Sequence, residues 1–328
     1  MESTREIVKR DYYFDTLKGV LILLVVIGNS LELSKTDLPF MHYFILFLYM
    51  FHMPLFAFIS GYFCKQSKRS TVQRVSEIFI LYVSVQTLYF MFYKFIMGET
   101  EYRLKFMEPY WTLWYLVSLI FWYIIYDYIK DYKKWLIGSL LVAILIGYDP
   151  SVFNYLSISR TIFFLPFFIL GVIFKKEYIK KIKEKKKLLG ILSLIVLIIL
   201  FFLSFGLIID LLFEFVGYES YYPNATWYPL LIRIFHYIGA VILGAFIMSL
   251  IPKNKTMFSS IGKYSLYIYI VHSGVSEFFI TNEILKYYNY GFLIFSEIVI
   301  VFISLLLVYL YVKFKDKILI KKATALKN

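Results

Sequence analysis

Four polar residues, Asp15, Lys18, Asn29 and Glu32, interrupt or flank an otherwise apolar run from Thr16 to Leu33. At ~100° per residue they fall within roughly a 100° arc of one helix face, and the rest of the circumference is mostly Leu, Val and Ile. The run is long enough to cross a hydrocarbon layer of ~30 Å at ~1.5 Å per residue. Polar groups at such depth are costly, turn toward a protein or water-filled interior and commonly mark a functional path. A carboxamide there can orient a hydroxyl or donate to a developing oxyanion, and Glu32, one turn along, is a carboxylate able to take a proton.

A second constellation is FHMPLFAFISGYF, from Phe51 to Phe63. Pro54 removes a backbone donor and frees a carbonyl near His52. Ser60 and Gly61 permit a kink or a close helix approach. One reading is a kinked packing helix with a satisfied histidine; the other makes His52 a base, because imidazole titrates near neutral pH.

The elements that position these residues follow from composition. With 60% hydrophobic residues, 17% charged residues and a mean hydropathy of +0.71, the chain belongs in a membrane. Apolar runs near 16–33, 41–63, 73–97, 111–129, 134–148, 160–174, 188–209, 228–250, 258–280 and 288–312 predict about ten helical spans. Those starting at 134 and 160 are short enough to be tilted or partly re-entrant. Porin-like alternation is absent, so the expected fold is all-α, a polytopic bundle. It forms one domain over residues 1–328 without an appended soluble domain, and no signal peptide precedes the first span.

Basic residues set the expected orientation. If both termini are cytoplasmic, 28 of the 35 Lys and Arg residues fall on cytoplasmic segments. This asymmetry accounts for the net charge of +13 and argues against nucleic acid as a partner. The block Lys175 to Lys187 is an orientation signal or a site for anionic lipid or a phosphate-bearing cofactor. One cysteine, Cys64, excludes an intramolecular disulfide and is read as a small apolar filler. His42, His52, His236 and His272 have no zinc spacing, and no metal is expected.

The string RDYYFDTLKGVLILLVVIGNSLE, followed by FHMPLFAFISGYF, resembles the opening of the integral-membrane acyltransferase type 3 family, which includes fucose 4-O-acetylase-like enzymes. The likeness continues in WTLWYLVSL (Trp111 to Leu119), RTIFFLPFFILG (Arg160 to Gly171) and YSLYIYIVH (Tyr264 to His272). It implies ten spans in the plasma membrane and transfer of an acyl group, usually acetyl, from acyl-CoA to a hydroxyl of a surface saccharide or lipid-linked glycan. The family's first-helix signature is a basic residue, ten residues, then histidine. Lys18 fits the basic position, and the histidine position is Asn29. A second signature, two arginines three apart, is half kept: Arg74 fits, Thr71 stands in the other place, and Arg69 lies nearby.

On this resemblance Lys18, Arg69 and Arg74 hold the acyl-CoA phosphates, and Asn29, Glu32 and His52 form the reaction centre. Arg160, Trp111, Trp114 and His272 contact the acceptor. A carboxamide cannot replace imidazole as a base. Three explanations of Asn29 stand open: a branch using another base, a catalytically silent relative that binds or moves a substrate, or an engineered replacement of histidine. A transporter or flippase-like protein on the same scaffold is the alternative of a different class. Arg233 and His236, at i, i+3, predict a buried cation with a carboxylate partner. Tyr218, Tyr221, Tyr222 and Trp227, with Glu214 and Glu219, read as a sugar-stacking loop or an interfacial aromatic belt.

Overall fold

The computed structural model describes residues 11–325 apart from 36, 39, 150–154, 207–210, 213–216, 221–226 and 286; side chains are described up to residue 317, Ser220 excepted. Every regular element among the described residues is helical. They are α1 (Tyr12–Ser34), α2 (Met41–Gln66), α3 (Thr71–Met91), α4 (Trp114–Tyr128), α5 (Tyr132–Leu145), α6 (Ile158–Ile173), α7 (Tyr178–Glu184), α8 (Lys186–Leu203), α9 (Tyr228–Leu250), α10 (Met257–Gly262), α11 (Ser265–Thr281) and α12 (Tyr290–Ala325).

Local chemistry sets several helix ends. Asp11 caps α1 by accepting from the Tyr13 amide at 3.2 Å, and Lys35 ends it in the left-handed region at φ 47°. Ser70 and Gln73 close a reciprocal capping box at the start of α3, as Thr256 and Ser259 do for α10. Pro229 occupies the first turn of α9, where its missing N–H costs nothing.

Each of the ten apolar runs contains a helix, with informative differences at the edges. Six helices are long and apolar enough to cross a membrane: α1, α2, α3 with its π-helical continuation to Ile96, α8, α9 and α12. α6 and α7 meet at 104°, and counted as one broken span they make a seventh. The run at 111–129 opens with a 3₁₀ turn, Trp111–Leu113, before the 15 residues of α4. The run at 258–280 is divided between α10 and α11 at Lys263 and Tyr264. α12 continues well past residue 312, and positions 207–209 of the seventh run lie outside the described residues.

Two glycine-mediated crossings frame the interior. A Cβ at Gly61 on α2 would sit 1.9 Å from the Phe168 carbonyl oxygen of α6, and one at Gly171 would sit 1.9 Å from the Phe58 carbonyl oxygen. Gly19 on α1 and Gly262 on α10 approach in the same way, with Cβ positions 1.9 Å from the Phe258 oxygen and 1.8 Å from the Asp15 oxygen. Such distances demand hydrogen at those positions, the usual means of bringing backbones together in a membrane. The first crossing locks α6 onto α2; the second fixes the basic end of α1.

The structure also places two groups at the outer end of α9. Among its described partners, the buried Arg233 side chain donates to the Ala143 carbonyl at 3.3 Å and lies between the rings of Phe163 (4.5 Å) and Tyr218 (5.0 Å). Tyr218 itself is buried and donates to the Ile144 carbonyl at 2.8 Å, so it is a packing residue. Tyr221, Tyr222 and Glu214 lie outside the described residues, and Trp227 is exposed.

Candidate active site

The polar stripe of α1 opens onto two adjoining cavities. The larger, about 220 Å³, has Lys18, Arg69 and Arg74 in its wall together with Ser60, Phe63, Cys64, Tyr115 and Tyr123. The smaller, about 30 Å³, is lined by Asn29, Glu32, Tyr49, His52, Trp111, Thr112, Trp114 and Arg160. Val25, Met53 and Tyr269 line both and form the partition between them. Nine of the ten sequence-assigned site residues therefore border one cavity or the other. The tenth, His272, lies behind Asn29.

The larger cavity has a basic rim whose cations already have protein partners. Lys18 pairs with Asp15 at 2.9 Å and sits 5.3 Å from the centre of the Phe63 ring. Arg69 pairs with Glu77, both exposed. Arg74 is buried: it donates to the Cys64 carbonyl (3.1 Å), to Cys64 Sγ (2.8 Å) and to Thr71 Oγ1 (2.7 Å). Its guanidinium also faces the rings of Tyr123 (5.2 Å) and Tyr126 (5.5 Å). Thr71 donates in turn to Asp127 at 2.8 Å. Arg74 is thus a brace joining α2, α3 and α4 as well as part of the rim, and Cys64 is a hydrogen-bonded member of the wall rather than filler.

Behind the partition, Asn29 is held at both ends. Its Nδ2 lies 3.0 Å from His272 Nε2, and its Oδ1 accepts from the Tyr49 hydroxyl at 2.9 Å. His272 Nδ1 is 2.8 Å from the Tyr269 carbonyl, which only accepts, so that nitrogen carries the proton. Nε2 is then the lone-pair nitrogen and receives the Asn29 amide. The Tyr49 hydroxyl also reaches Glu32 Oε2. The phenol proton is shared between the two acceptors, and Asn29 donates on to His272.

His52 shows the same tautomer logic with a different outcome. Its Nδ1 donates to the Leu48 carbonyl four residues back, which leaves the lone pair on Nε2. The imidazole packs edge-on against Tyr49 at 4.9 Å. Opposite, the buried Arg160 places its guanidinium 5.4 Å from the Trp114 ring centre, and Trp114 stacks on Phe164 at 5.1 Å. This small polar chamber contains a lone-pair nitrogen, a carboxyl group and a fixed cation, flanked by two indoles. Such a set can take a proton from a hydroxyl and stabilise developing negative charge.

Reading the sequence missed Tyr49, Tyr269 and Thr112. Tyr49 stands three residues before His52 and therefore on the same face of α2. That spacing was visible, but one tyrosine among 31 carries little weight. The Tyr269 hydroxyl donates to the Thr112 carbonyl, and Thr112 Oγ1 meets Ser273 at 3.1 Å, which ties the Trp111–Leu113 turn to α11. No local signal pointed to that contact.

Comparison with known proteins identifies relatives and a family. Nodulation protein NolL of Sinorhizobium fredii is 29% identical over 182 residues, which is 50% of this chain and 49% of that protein. Nodulation protein NolL of Mesorhizobium japonicum is 42% identical over 73 residues, 21% of this chain and 20% of the relative. The matched stretches span about half or less of those relatives' lengths. No solved structure matches the chain. The pattern of the type 3 acyltransferase family, described as an acyltransferase domain, matches residues 11–313, and this integral membrane chain belongs to that family.

Proposed function

We propose that the protein transfers an acetyl or similarly small acyl group from acyl-CoA to a hydroxyl of a cell-surface saccharide or glycolipid. It would act in the plasma membrane as a ten-span protein with both termini in the cytoplasm, the short helices α4, α5, α6 and α11 completing the spans. The observation that carries the chemistry is His52, which lines the small chamber with Nδ1 committed to Leu48 and the lone pair on Nε2.

In this reading the CoA phosphates rest on Lys18, Arg69 and Arg74, exchanging with the carboxylates now paired to Lys18 and Arg69. From Lys18 to Asn29 the helix rises ~16 Å, a depth suited to an extended pantetheine arm. The residues fit this donor: a cationic rim opens onto a wall of Ile22, Val25, Met53 and Ile59. The thioester passes the Val25–Met53–Tyr269 partition into the chamber. His52 Nε2 takes the acceptor hydroxyl proton, the oxygen forms a bond to the acyl carbon, and the carbon–sulfur bond breaks. CoA leaves as the thiol once the proton returns to sulfur. Arg160 faces the charge on the carbonyl oxygen, and Trp111 and Trp114 flank the sugar. Asn29 orients the chamber without titrating.

The test is incubation of purified protein with acetyl-CoA and candidate glycans, following free thiol and a mass-shifted glycan. Acceptor-dependent thiol release supports the reading. Saccharide binding or accumulation without thiol release replaces it with a silent or transporting relative.

A further inference from the structure

A groove of about 720 Å³ runs along the outside of the bundle between α10–α11 and α12, away from both cavities. Its walls are Ile261, Tyr264 and Ile268 on one side and Leu305, Val308, Tyr309 and Val312 on the other. At one end it meets Lys313 and Lys317, one turn apart on the same face of α12, with the Ser260 hydroxyl opposite and Asp316 as the one acid in the lining.

We infer that this groove holds an anionic glycerophospholipid, its phosphate on Lys313 and Lys317 and one acyl chain between α11 and α12. Charge and length choose this occupant. The lining is apolar except at the lysine end, which matches a molecule with one anionic head and a hydrocarbon chain. From Leu305 to Lys317 the helix rises ~18 Å, close to the ~15 Å depth of one leaflet's hydrocarbon. A polyprenyl chain would overrun that length. The basic end lies on the same side of the bundle as Lys18, because Gly262 of α10 packs on Asp15 and Gly19.

The placement gives the lipid a consequence. Ser265, Leu266 and Tyr269 of α11 face the larger cavity, whereas Tyr264 and Ile268 face the groove. α11 is therefore a partition one helix thick, and α12 stands off from it at the groove. A chain seated there completes the support behind Tyr269 and, one turn along α11, His272. The bound lipid stabilises the fold and keeps α11 against α1.

The test is thermal unfolding of the full chain in nanodiscs of phosphatidylcholine alone or with phosphatidylglycerol, with native mass spectrometry to count retained lipid. The expected result is a Tm several degrees higher with phosphatidylglycerol and one retained molecule of it. The exposed pair K313Q/K317Q loses most of that increment. Val308→Trp, which fills the groove and keeps both lysines, loses it as well. An equal Tm in the two lipids overturns the inference. So does an increment that survives in both variants, which would place the lipid elsewhere, such as on Lys175 to Lys187. Displacement of phosphatidylglycerol by a polyprenyl phosphate would overturn the choice of occupant.

Discussion

Asn29 and His272, 243 residues apart, meet side chain to side chain at 3.0 Å in the middle of the bundle. The contact joins α1 to α11, and through Tyr49 the same carboxamide is joined to α2. A carboxamide and a neutral imidazole share one property, a donor and an acceptor on opposite edges. A histidine at position 29 could therefore keep both contacts, whereas an apolar residue would leave the Tyr49 proton and His272 Nε2 without this partner.

This defines a first prediction. Asn29→Leu should destabilise the protein by about 1–3 kcal/mol, the cost of leaving buried polar partners unsatisfied, and Asn29→His should cost less. Thermal unfolding in detergent micelles ranks the two variants. A histidine variant as unstable as the leucine variant would show that Asn29 is not a strut between α2 and α11.

The Gly61–Gly171 crossing supplies the second. A methyl group at Gly61 would occupy space 1.9 Å from the Phe168 carbonyl oxygen, and that atom belongs to backbone, which cannot swing aside. Gly61→Ala should therefore lower the yield of folded protein sharply, by more than the ~1–3 kcal/mol typical of overpacking. Gly206→Ala, with nothing within 4 Å of the added group, should leave it unchanged. Size-exclusion profiles of the two variants side by side decide it.

These contrasts show what the sequence makes legible. The stripe Asp15–Lys18–Asn29–Glu32 was readable because helix periodicity is a local property, and so was His52 beside Pro54. Lys18, Arg69 and Arg74 gather at one cavity because each lies near the same end of α1 or the α2–α3 turn, as positional charge counting suggested. Pairings made by tertiary packing were not readable. Arg74 braces Cys64 and Thr71, Tyr49 reaches Asn29, and α11 begins only after a break at Lys263 and Tyr264. Span counting separated long helices from short ones only in part: the runs at 134 and 160 read as short and hold α5 and α6, whereas those at 111 and 258 did not read as short and hold α4, α10 and α11. An apolar run records where the chain avoids water, while helix length depends on where neighbours end it. α6 stops at Ile173 and turns by 104° into the basic α7.

A third prediction separates donor binding from bracing. Arg69 is exposed and its ion pair with Glu77 is worth little to stability, so Arg69→Gln should leave the fold intact. If it grips a CoA phosphate, affinity for acyl-CoA falls by a factor of ten or more, since a charge-assisted bond contributes ~1.5–3 kcal/mol. Arg74→Ala should weaken binding and also lower Tm, because three protein contacts are lost with it. Fluorescence titration and unfolding of both variants distinguish the roles. Unchanged affinity in folded Arg69→Gln removes that residue from the donor site.

Topology gives a fourth. With 28 of 35 basic residues on the segments assigned to the cytoplasm, a tag after Asn328 should be cut only when protease reaches the cytoplasmic face. A cysteine introduced at Trp227, in the Cys64→Ser background, should react with an impermeant thiol reagent added outside, because Trp227 is 65% exposed at the opposite end of α9 from Ile251. Labelling of that position only after membrane rupture would invert the orientation.

The last prediction concerns the base. Two groups in the small chamber can accept a proton, His52 and Glu32, and the hydrogen-bond pattern treats them differently. His52 keeps its lone pair on Nε2, since Nδ1–H is spent on the Leu48 carbonyl. Glu32 accepts from the Tyr49 hydroxyl, which also donates to Asn29, so its carboxyl is engaged in the network that runs on to His272. A carboxyl engaged in this way is a poorer base than an imidazole nitrogen that keeps its lone pair. His52→Ala should therefore lower acceptor-dependent thiol release by ~10²–10⁴-fold, the usual worth of a positioned general base, with acyl-CoA affinity preserved. Glu32→Gln still presents an acceptor oxygen to Tyr49 and should cost far less. The neighbouring cation gives a control: Arg160→Lys keeps charge in the chamber and should retain more activity than Arg160→Ala. If Glu32→Gln abolishes transfer and His52→Ala spares it, the base lies on α1, and Tyr49 becomes the group that passes the proton to it.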